Sequence, residues 1–401
     1  HQNFPAQFRQ LAPAWLAAGH QVTAIGCRPE PPEGEQWRGL RYWSYQVGDA
    51  NAPTEPSCEE RGQAVAQLCG HLLAQGSAPD LVMAHSAWGE ALQLRNLLPG
   101  TPLVIYPELW GSPAALGVGL DPQLDHALNA ADQRGMLQRI ERQNLLAELA
   151  ISQADAVVIP SLSQRASFPE ALQRGMHLIP EGVDLEDLHP LEGSHPIRIG
   201  NQPLPADAAL VTLVSRNLEP LRGLRQALQA WPLVAKAEPK AHLVLVGDPE
   251  AGYGEEKPAL ASHLEDALAA LPADTDRSRI LHFGRLAYPE LVTLLQASHC
   301  HLGLSYPYTL SWSLLEAMAC GAPVITNHGS PLAAEFPDNA TAQLVPFDDV
   351  EALAQAILRL LQSPEERQRI GQAGRRLISQ HFNLAETLER YDALFQSLLH
   401  S

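Results

Sequence analysis

Two arginines follow one predicted strand closely enough to bind a diphosphate together. The segment VSRNLEPLRGL, residues 214–224, leaves a strand and opens a helix, so Arg216 and Arg222 are expected at the strand's carboxyl end. A guanidinium can donate two parallel hydrogen bonds to phosphate oxygens. Lysine is scarce, with only three among the 27 basic side chains, so arginine is expected to meet any phosphate. Two ordinary surface arginines are the alternative interpretation.

A second segment of the same half could hold a phosphate and a sugar. In YTLSWSLLEAMACG, residues 308–321, a tight stretch leads into a helix predicted to begin near Ser311. Ser311, Ser313 and Glu316 are predicted to form a capping arrangement, and N–H groups at a helix start attract phosphate. A carboxylate such as Glu316 can also accept bonds from two neighbouring sugar hydroxyls. Simple capping, with Glu316 as a surface charge, is the alternative.

Several common kinds of site are not indicated. The sequence has no G-x-x-x-x-G-K-[ST] and no G-x-G-x-x-G after a strand, which disfavours a P-loop nucleotidase and a dinucleotide oxidoreductase. No D-x-D or His/Asp cluster is expected at the cleft, and no C-x-x-C spacing indicates a metal, so we expect neither metal nor bound cofactor. The net charge of −18 argues against nucleic acid as a partner.

Two polar residues at predicted strand ends complete the candidates. His85 ends the run DLVMAH, and Glu108 follows PLVIY, where a carboxylate could contact an acceptor or a sugar. A histidine or carboxylate at such a place can equally be structural. The irregular segment 111–132 between this strand and the next helix is longer than an ordinary connection and is expected to be a functional loop.

Short apolar runs alternate with amphipathic segments along the whole chain. This pattern predicts βαβ units around buried parallel sheets. The segment 189–208 carries four prolines and reads as a linker between two α/β halves. We therefore predict an α/β protein with two Rossmann-like domains facing each other across a cleft. The predicted boundaries are 1–190, 205–375 and a final helical part, 376–401, that crosses back to the first domain.

The two chemical segments together resemble retaining glycosyltransferases of the GT-B fold, family 4. That family carries a Glu-x7-Glu pair ahead of EAMACG-PV, and this chain has EAMACGAPV at 316–324. IPEGVD at 179–184 is similar to the family's PNGVD turn, and LVMAHSAWGE at 81–90 to its H-x-H segment. The stretches at 106–122 and 160–169 look like a subgroup that includes builders of prokaryotic polysaccharides.

The resemblance implies a role for each candidate residue. A nucleoside diphosphate sugar, with UDP favoured over GDP, would serve as co-substrate, and a saccharide or glycolipid would be the acceptor. The diphosphate would meet Arg216 and Arg222, His85 would lie near the reacting centre, and Glu316 would hold the ribose. The remaining donor contacts are assigned to Gly284, Arg285, Tyr308, Thr309, Leu310, Ser311 and Trp312. The acceptor or sugar contacts are assigned to Asn3, Ala6 and Glu108.

The chain departs from the family pattern at three places. Tyr308 stands where the family has the first Glu of the pair, and Thr309 and Ser311 replace the glycines that follow it. Ala6 lies where the opening loop usually has Gly. A strand that the family has before His1 is missing from the sequence, so a trimmed or renumbered chain is expected.

These departures keep two other functions open. One is an inactive nucleotide-sugar binding protein on the same fold, and the other is a GT-B nucleotide-sugar epimerase.

Five scattered cysteines and no apolar run of membrane-spanning length predict a cytoplasmic protein. The helix with Arg134, Arg139 and Arg142 is a candidate contact with the inner membrane surface. Interspersed acids on it favour a solvated face.

Overall fold

The computed structural model describes most of the chain. The described residues are 1–48, 58–122, 125, 129–191, 198–199, 202–205, 207–249 and 263–400. Their contacts divide the chain into two compact units. Unit 1 comprises His1–Ser112, Ala130–Gly182 and Leu384–Ser401, and unit 2 comprises Pro113–Asn129 and Val183–Asn383.

Unit 1 contains two parallel sheets. The strands β1 (Thr23–Gly26) and β2 (Arg41–Ser44) pair with each other. The strands β3 to β6 pair in chain order as a second, four-stranded parallel sheet: Val82–His85, Leu103–Tyr106, Ala156–Ile159 and Met176–Leu178. The helices of this unit are α1 to α6 and α14: Leu11–Ala17, Cys58–Ala74, Leu94–Leu97, Ala130–Gln153, Leu162–Ser167, Glu170–Gln173 and Leu384–Leu399. The strands β4 and β5 are buried on both faces, as in a sheet covered by helices.

The last helix of the chain is an integral part of unit 1. Tyr391 and Leu394 of α14 pack in one core cluster with Leu11 and Val104. The Thr387 hydroxyl donates to the Pro180 carbonyl at 3.1 Å. The preceding helix, α13 (Pro364–His381), belongs to unit 2, so the two units divide at 383/384 rather than at the predicted 375/376.

Unit 2 is built on a six-stranded parallel sheet. Its strands are β9 to β14: Ala209–Asn217, Ala241–Asp248, Ile280–Phe283, Cys300–Leu302, Val324–Asn327 and Gln343–Val345. Their spatial order is β11-β10-β9-β12-β13-β14, the doubly wound order of a Rossmann fold. The helices are α7 to α13: Leu224–Ala237, His263–Ala269, Tyr288–Gln296, Trp312–Ala319, Pro331–Glu335, Val350–Gln362 and Pro364–His381. In this topology the strand order reverses between β9 and β12, where ligands bind at the carboxyl ends.

Two predicted elements differ in detail. The helix expected at 88–97 is only α3, Leu94–Leu97, because Gly89 has a left-handed φ of 101° and the chain turns there. Part of the predicted linker forms a small antiparallel pair, β7 (Arg198–Ile199) with β8 (Gln202–Pro203). Linker residues 192–197, 200, 201 and 206 lie outside the described residues. Within the described part of the chain, no helix is long and apolar enough to cross a membrane.

Candidate functional site

Arg222 lies at the topological switch point of unit 2. It ends a 3-10 turn, Pro220–Arg222, that follows β9 and precedes α7. The next residue is Gly223, with a φ of 74°, and a Cβ there would come within 2.6 Å of the Leu304 side chain. Glycine is therefore required both for the left-handed backbone and for the close approach to the loop after β12. Arg216 lies at the end of β9 with an exposed side chain.

The loop from Gly303 to Ser311 receives the Arg222 side chain. Arg222 Nη1 donates to Ser305 Oγ at 3.2 Å and to the Thr309 carbonyl at 3.5 Å. The structure thus joins the two segments that the sequence selected separately. A guanidinium donates several hydrogen bonds, and a phosphate offers charged oxygens that suit them.

Asn327 fixes this loop from the neighbouring strand, and the sequence analysis missed it. Its Oδ1 accepts from the Ser305 backbone N–H at 2.7 Å, and its Nδ2 donates to the Ser305 carbonyl at 3.0 Å. Asn327 is the last residue of β13 and is almost fully buried. The available signal was an asparagine at the end of the short strand VITN.

The start of α10 differs from the predicted capping arrangement. Ser311 is the N-cap residue, but its side chain makes no capping bond. Ser313 Oγ instead donates to the Val214 carbonyl of β9 at 2.8 Å. The capping prediction was wrong because the strand offers a carbonyl within reach of Ser313. The serine ties the helix start to the strand that leads to Arg216.

The assigned donor residues on this loop and helix are unequal in exposure. Glu316 is only 3% exposed, and the Tyr288 hydroxyl donates to its Oε1 at 3.4 Å. The surface-charge interpretation of Glu316 is therefore wrong. Tyr308, Thr309 and Trp312 are half-buried, whereas the Leu310 side chain packs in the apolar core. Leu310 can contact a ligand only through its backbone.

The loop after β11 carries two of the residues assigned as donor contacts. Gly284 is exposed, and Arg285 forms a two-pronged ion pair with Asp248, with Nε 2.6 Å and Nη2 2.5 Å from Oδ2. This ion pair holds the guanidinium at the carboxyl end of β10.

In unit 1, His85 and Glu108 form one polar cluster. His85 Nε2 lies 3.1 Å from Glu108 Oε2, and the Ala87 N–H donates to His85 Nδ1 at 3.3 Å. Because Nδ1 accepts a hydrogen bond, the ring proton lies on Nε2, and this N–H donates a hydrogen bond to the Glu108 carboxylate. Gln7 Nε2 donates to Glu108 Oε1 at 2.8 Å. Gln7 belongs to this cluster and was missed by the sequence analysis.

The backbone around this cluster is strained. Glu108 has a φ of 64° and Ala6 a φ of 37°, both in the left-handed region that favours glycine. The Glu108 carbonyl accepts from Gln164 Nε2 at 2.8 Å, which helps to hold this conformation. Such strain concentrates at functional sites. Ala6 adopts it where the family has Gly, and Asn3 lies close by, its N–H donating to His1 Nδ1 at 2.9 Å.

No group of three or more His, Cys, Asp or Glu side chains among the described residues could hold a metal ion. His301 is fully buried in β12, and its Nδ1 forms a hydrogen bond with the Thr212 hydroxyl at 2.9 Å. Burial lowers the pKa of His301 to about 3, so the ring is neutral at ordinary pH.

Unit 2 therefore has a doubly wound sheet with an arginine and a buried carboxylate near its switch point, the place where such sheets bind ligands. Comparisons with known proteins specify the class of protein. Residues 18–188 match the family described as "Glycosyl transferase family 4 group" and residues 199–377 match "Glycosyl transferases group 1". The chain belongs to the GT-B glycosyltransferases of group 1, family 4 type, which confirms the predicted family and fold.

Relatives and solved structures agree with this membership. The chain is 25% identical over 372 residues to a D-inositol 3-phosphate glycosyltransferase of Saccharomonospora viridis, covering 90% of this chain and 80% of that one. It is 29% identical over 266 residues to an MMP α-(1→4)-mannosyltransferase of Mycolicibacterium hassiacum, covering 66% and 57%.

Two solved structures share the fold. A sucrose-phosphate synthase of Thermosynechococcus elongatus has a TM-score of 0.72 and 21% identity, with 98% and 93% of the two chains covered. Anabaena Alr3699/HepE in complex with UDP-glucose has a TM-score of 0.67 and 17% identity, with 99% and 98% covered. The two family matches, together with these relatives, identify the chain as a glycosyltransferase.

Proposed function

We propose that this protein transfers a hexosyl group from a nucleoside diphosphate sugar, with UDP as the favoured carrier, and retains its anomeric configuration. The acceptor would be a saccharide or a lipid-linked saccharide in polysaccharide or glycoconjugate synthesis. The observation that carries the proposal is Arg222, held between Ser305 and the Thr309 carbonyl at the switch point of the unit 2 sheet.

In the proposed reaction Arg222 and Arg216 neutralise the charge that grows on the leaving diphosphate. Such preorganised charge is commonly the largest contribution to catalysis. The leaving phosphate takes the acceptor proton on the same face of the sugar. No protein nucleophile is then required. The buried Glu316 accepts from the ribose hydroxyls, and the His85–Glu108 cluster serves the sugar or the acceptor. The Anabaena neighbour is described with UDP-glucose, which supports this class of donor.

Tyr308 favours one other candidate, an inactive nucleotide-sugar binding protein. It occupies the position of the first family Glu, and a phenol cannot supply a carboxylate to the sugar.

The proposed transferase activity is tested by incubating the protein with UDP-, GDP- and ADP-sugars and a panel of saccharide acceptors while measuring released nucleoside diphosphate. Acceptor-dependent release from one donor supports transfer, whereas tight binding without release favours the binding protein. A nucleotide sugar converted to its epimer without an acceptor would indicate an epimerase.

Turnover should not need a divalent metal ion, since two arginines are available to balance the diphosphate charge. We expect full activity in excess EDTA with the correct donor and acceptor. The rate is to be compared with matched reactions containing Mg²⁺ or Mn²⁺. Activity that EDTA abolishes and only a metal restores would contradict this assignment.

A cytoplasmic location and membrane contact of α4 stay predictions. The side chains of Arg134, Arg139 and Arg142 are exposed, and Leu145 beside them is 67% exposed, which suits a lipid surface. Glu141 and Glu148 on the same helix would oppose anionic lipids. This balance keeps the solvated face as the favoured interpretation.

A further inference from the structure

The segment Pro113–Asn129 belongs to unit 2, although it lies in sequence between β4 and α4 of unit 1. It is most of the irregular stretch that the sequence marked as a functional loop. Within it, Asp121 is only 2% exposed at its side chain, an unusual environment for a carboxylate. A buried charge needs partners, and those partners identify what the segment holds.

One oxygen of Asp121 binds side chains from two segments of unit 2, the helix α7 and the loop after β12. Asp121 Oδ2 pairs with Nη2 of Arg225, which lies on α7 three residues beyond Arg222. The same Oδ2 accepts from the Tyr306 hydroxyl at 2.6 Å, and Tyr306 belongs to the loop that receives Arg222. The carboxylate therefore connects the arginine turn to the loop after β12.

Tyr306 also forms hydrogen bonds with two residues that lie next to Arg222 in the chain or contact it. Its backbone N–H donates to the Leu221 carbonyl at 3.2 Å, and its carbonyl accepts from Ser305 Oγ at 2.8 Å. Its ring packs on Phe347 with centroids 5.1 Å apart, and a Cβ at Gly117 would overlap that ring. Burial and then the Asp121 bond raise the pKa of Tyr306, so the phenol remains a donor at any ordinary pH.

We propose that Asp121 is a positioning residue for the phosphate site, fixing the distance between the arginine turn and the loop that carries Ser305 and Thr309. The proposal rests on the proposed function, because it takes the Arg222 site to bind a nucleoside diphosphate. Asp121 itself touches no ligand in this account.

The charge of Asp121 and its positioning role predict opposite effects on diphosphate affinity when the carboxylate is neutralised. A carboxylate near a phosphate site repels the ligand, so neutralising it should tighten diphosphate binding if charge alone matters. If Asp121 acts by position, the same change should weaken binding, since Arg222 loses its fixed geometry. The sign of the effect therefore separates the two.

The matched pair of variants is Asp121→Asn and Asp125→Asn. Asp125 lies on the same segment and is exposed, and its carboxylate accepts from the Gly119 N–H at 3.0 Å. UDP and uridine binding should be measured by calorimetry and competition. We expect Asp121→Asn to raise the UDP Kd at least tenfold with uridine binding unchanged, and Asp125→Asn to leave both unchanged.

A UDP Kd that falls or stays constant in Asp121→Asn would overturn the proposal, as would equal losses for UDP and uridine, which indicate general damage to the unit. If Asp121→Asn does not fold, Tyr306→Phe decides, because it removes one of the two bonds and keeps the ring packing. It should weaken UDP binding severalfold, and an unchanged Kd would refute the positioning role. A parent protein that binds no nucleoside diphosphate would instead refute the proposed function.

Discussion

Arg222→Ala should weaken the binding of the nucleoside diphosphate at least tenfold and lower kcat/KM still further. A charge-assisted contact of this kind contributes about 1.5–3 kcal/mol, and the lower bound already corresponds to about tenfold in Kd. The larger effect on kcat/KM follows because charge on the leaving phosphate grows as the glycosidic bond breaks, so the arginine stabilises the transition state more than the ground state.

Two further variants make this result specific. Arg222→Lys keeps the charge but loses the planar guanidinium whose Nη1 reaches Ser305 and the Thr309 carbonyl, so an intermediate affinity is expected. Arg369→Ala removes a half-exposed arginine of α13 that pairs with Glu366, and it should change neither binding nor rate. Isothermal titration with UDP checks all three. An Arg222→Ala protein that binds UDP with the Kd of the parent would show that Arg222 does not bind the diphosphate.

Glu316→Gln should weaken UDP and the intact UDP-sugar alike. The carboxylate is almost fully buried, and the variant keeps its shape and its ability to accept from the Tyr288 hydroxyl. The change exchanges a charged acceptor for a neutral one, which costs about 1–3 kcal/mol in a dry site. Both ligands lose affinity equally, since the ribose is common to them. Glu351→Gln, at an exposed position of α12, is the matched control.

Tyr308→Phe should behave differently from Glu316→Gln. Tyr308 is half-buried on the loop that receives Arg222, at the position assigned to the sugar rather than the nucleotide. Removing its hydroxyl should leave UDP binding intact and alter either affinity for the donor or the rate of transfer. Titration of both variants with both ligands separates the roles. A Glu316→Gln protein that binds normally would disprove the ribose assignment, and a silent Tyr308→Phe would disprove the sugar assignment.

The parts of the site that lie within one short segment were predictable from sequence. Arg222 and Glu316 each stand in a local pattern, a strand followed by a helix, and parallel sheet topology then brings such strand ends together. The doubly wound sheet of unit 2 follows from the same alternation of apolar runs and amphipathic helices.

The residues that the sequence did not reveal act across long separations in the chain. Asn327 holds Ser305 from the next strand, and Asp121 reaches Tyr306 across 185 positions. No local pattern encodes such pairs, because they depend on which strands become neighbours. The capping error at Ser313 has the same origin, since the competing carbonyl of Val214 is 99 residues away.

The most direct test of the account is the stereochemistry of the transferred sugar. The reaction of the best α-linked donor with its acceptor should be followed by proton NMR at the anomeric signal, within the first turnovers. The account predicts that the new glycosidic bond has the α configuration, and that this product forms much more slowly with Arg222→Ala. A β-linked product would contradict a retaining transfer, and an α-linked product formed as fast by Arg222→Ala would contradict the role of the arginine site.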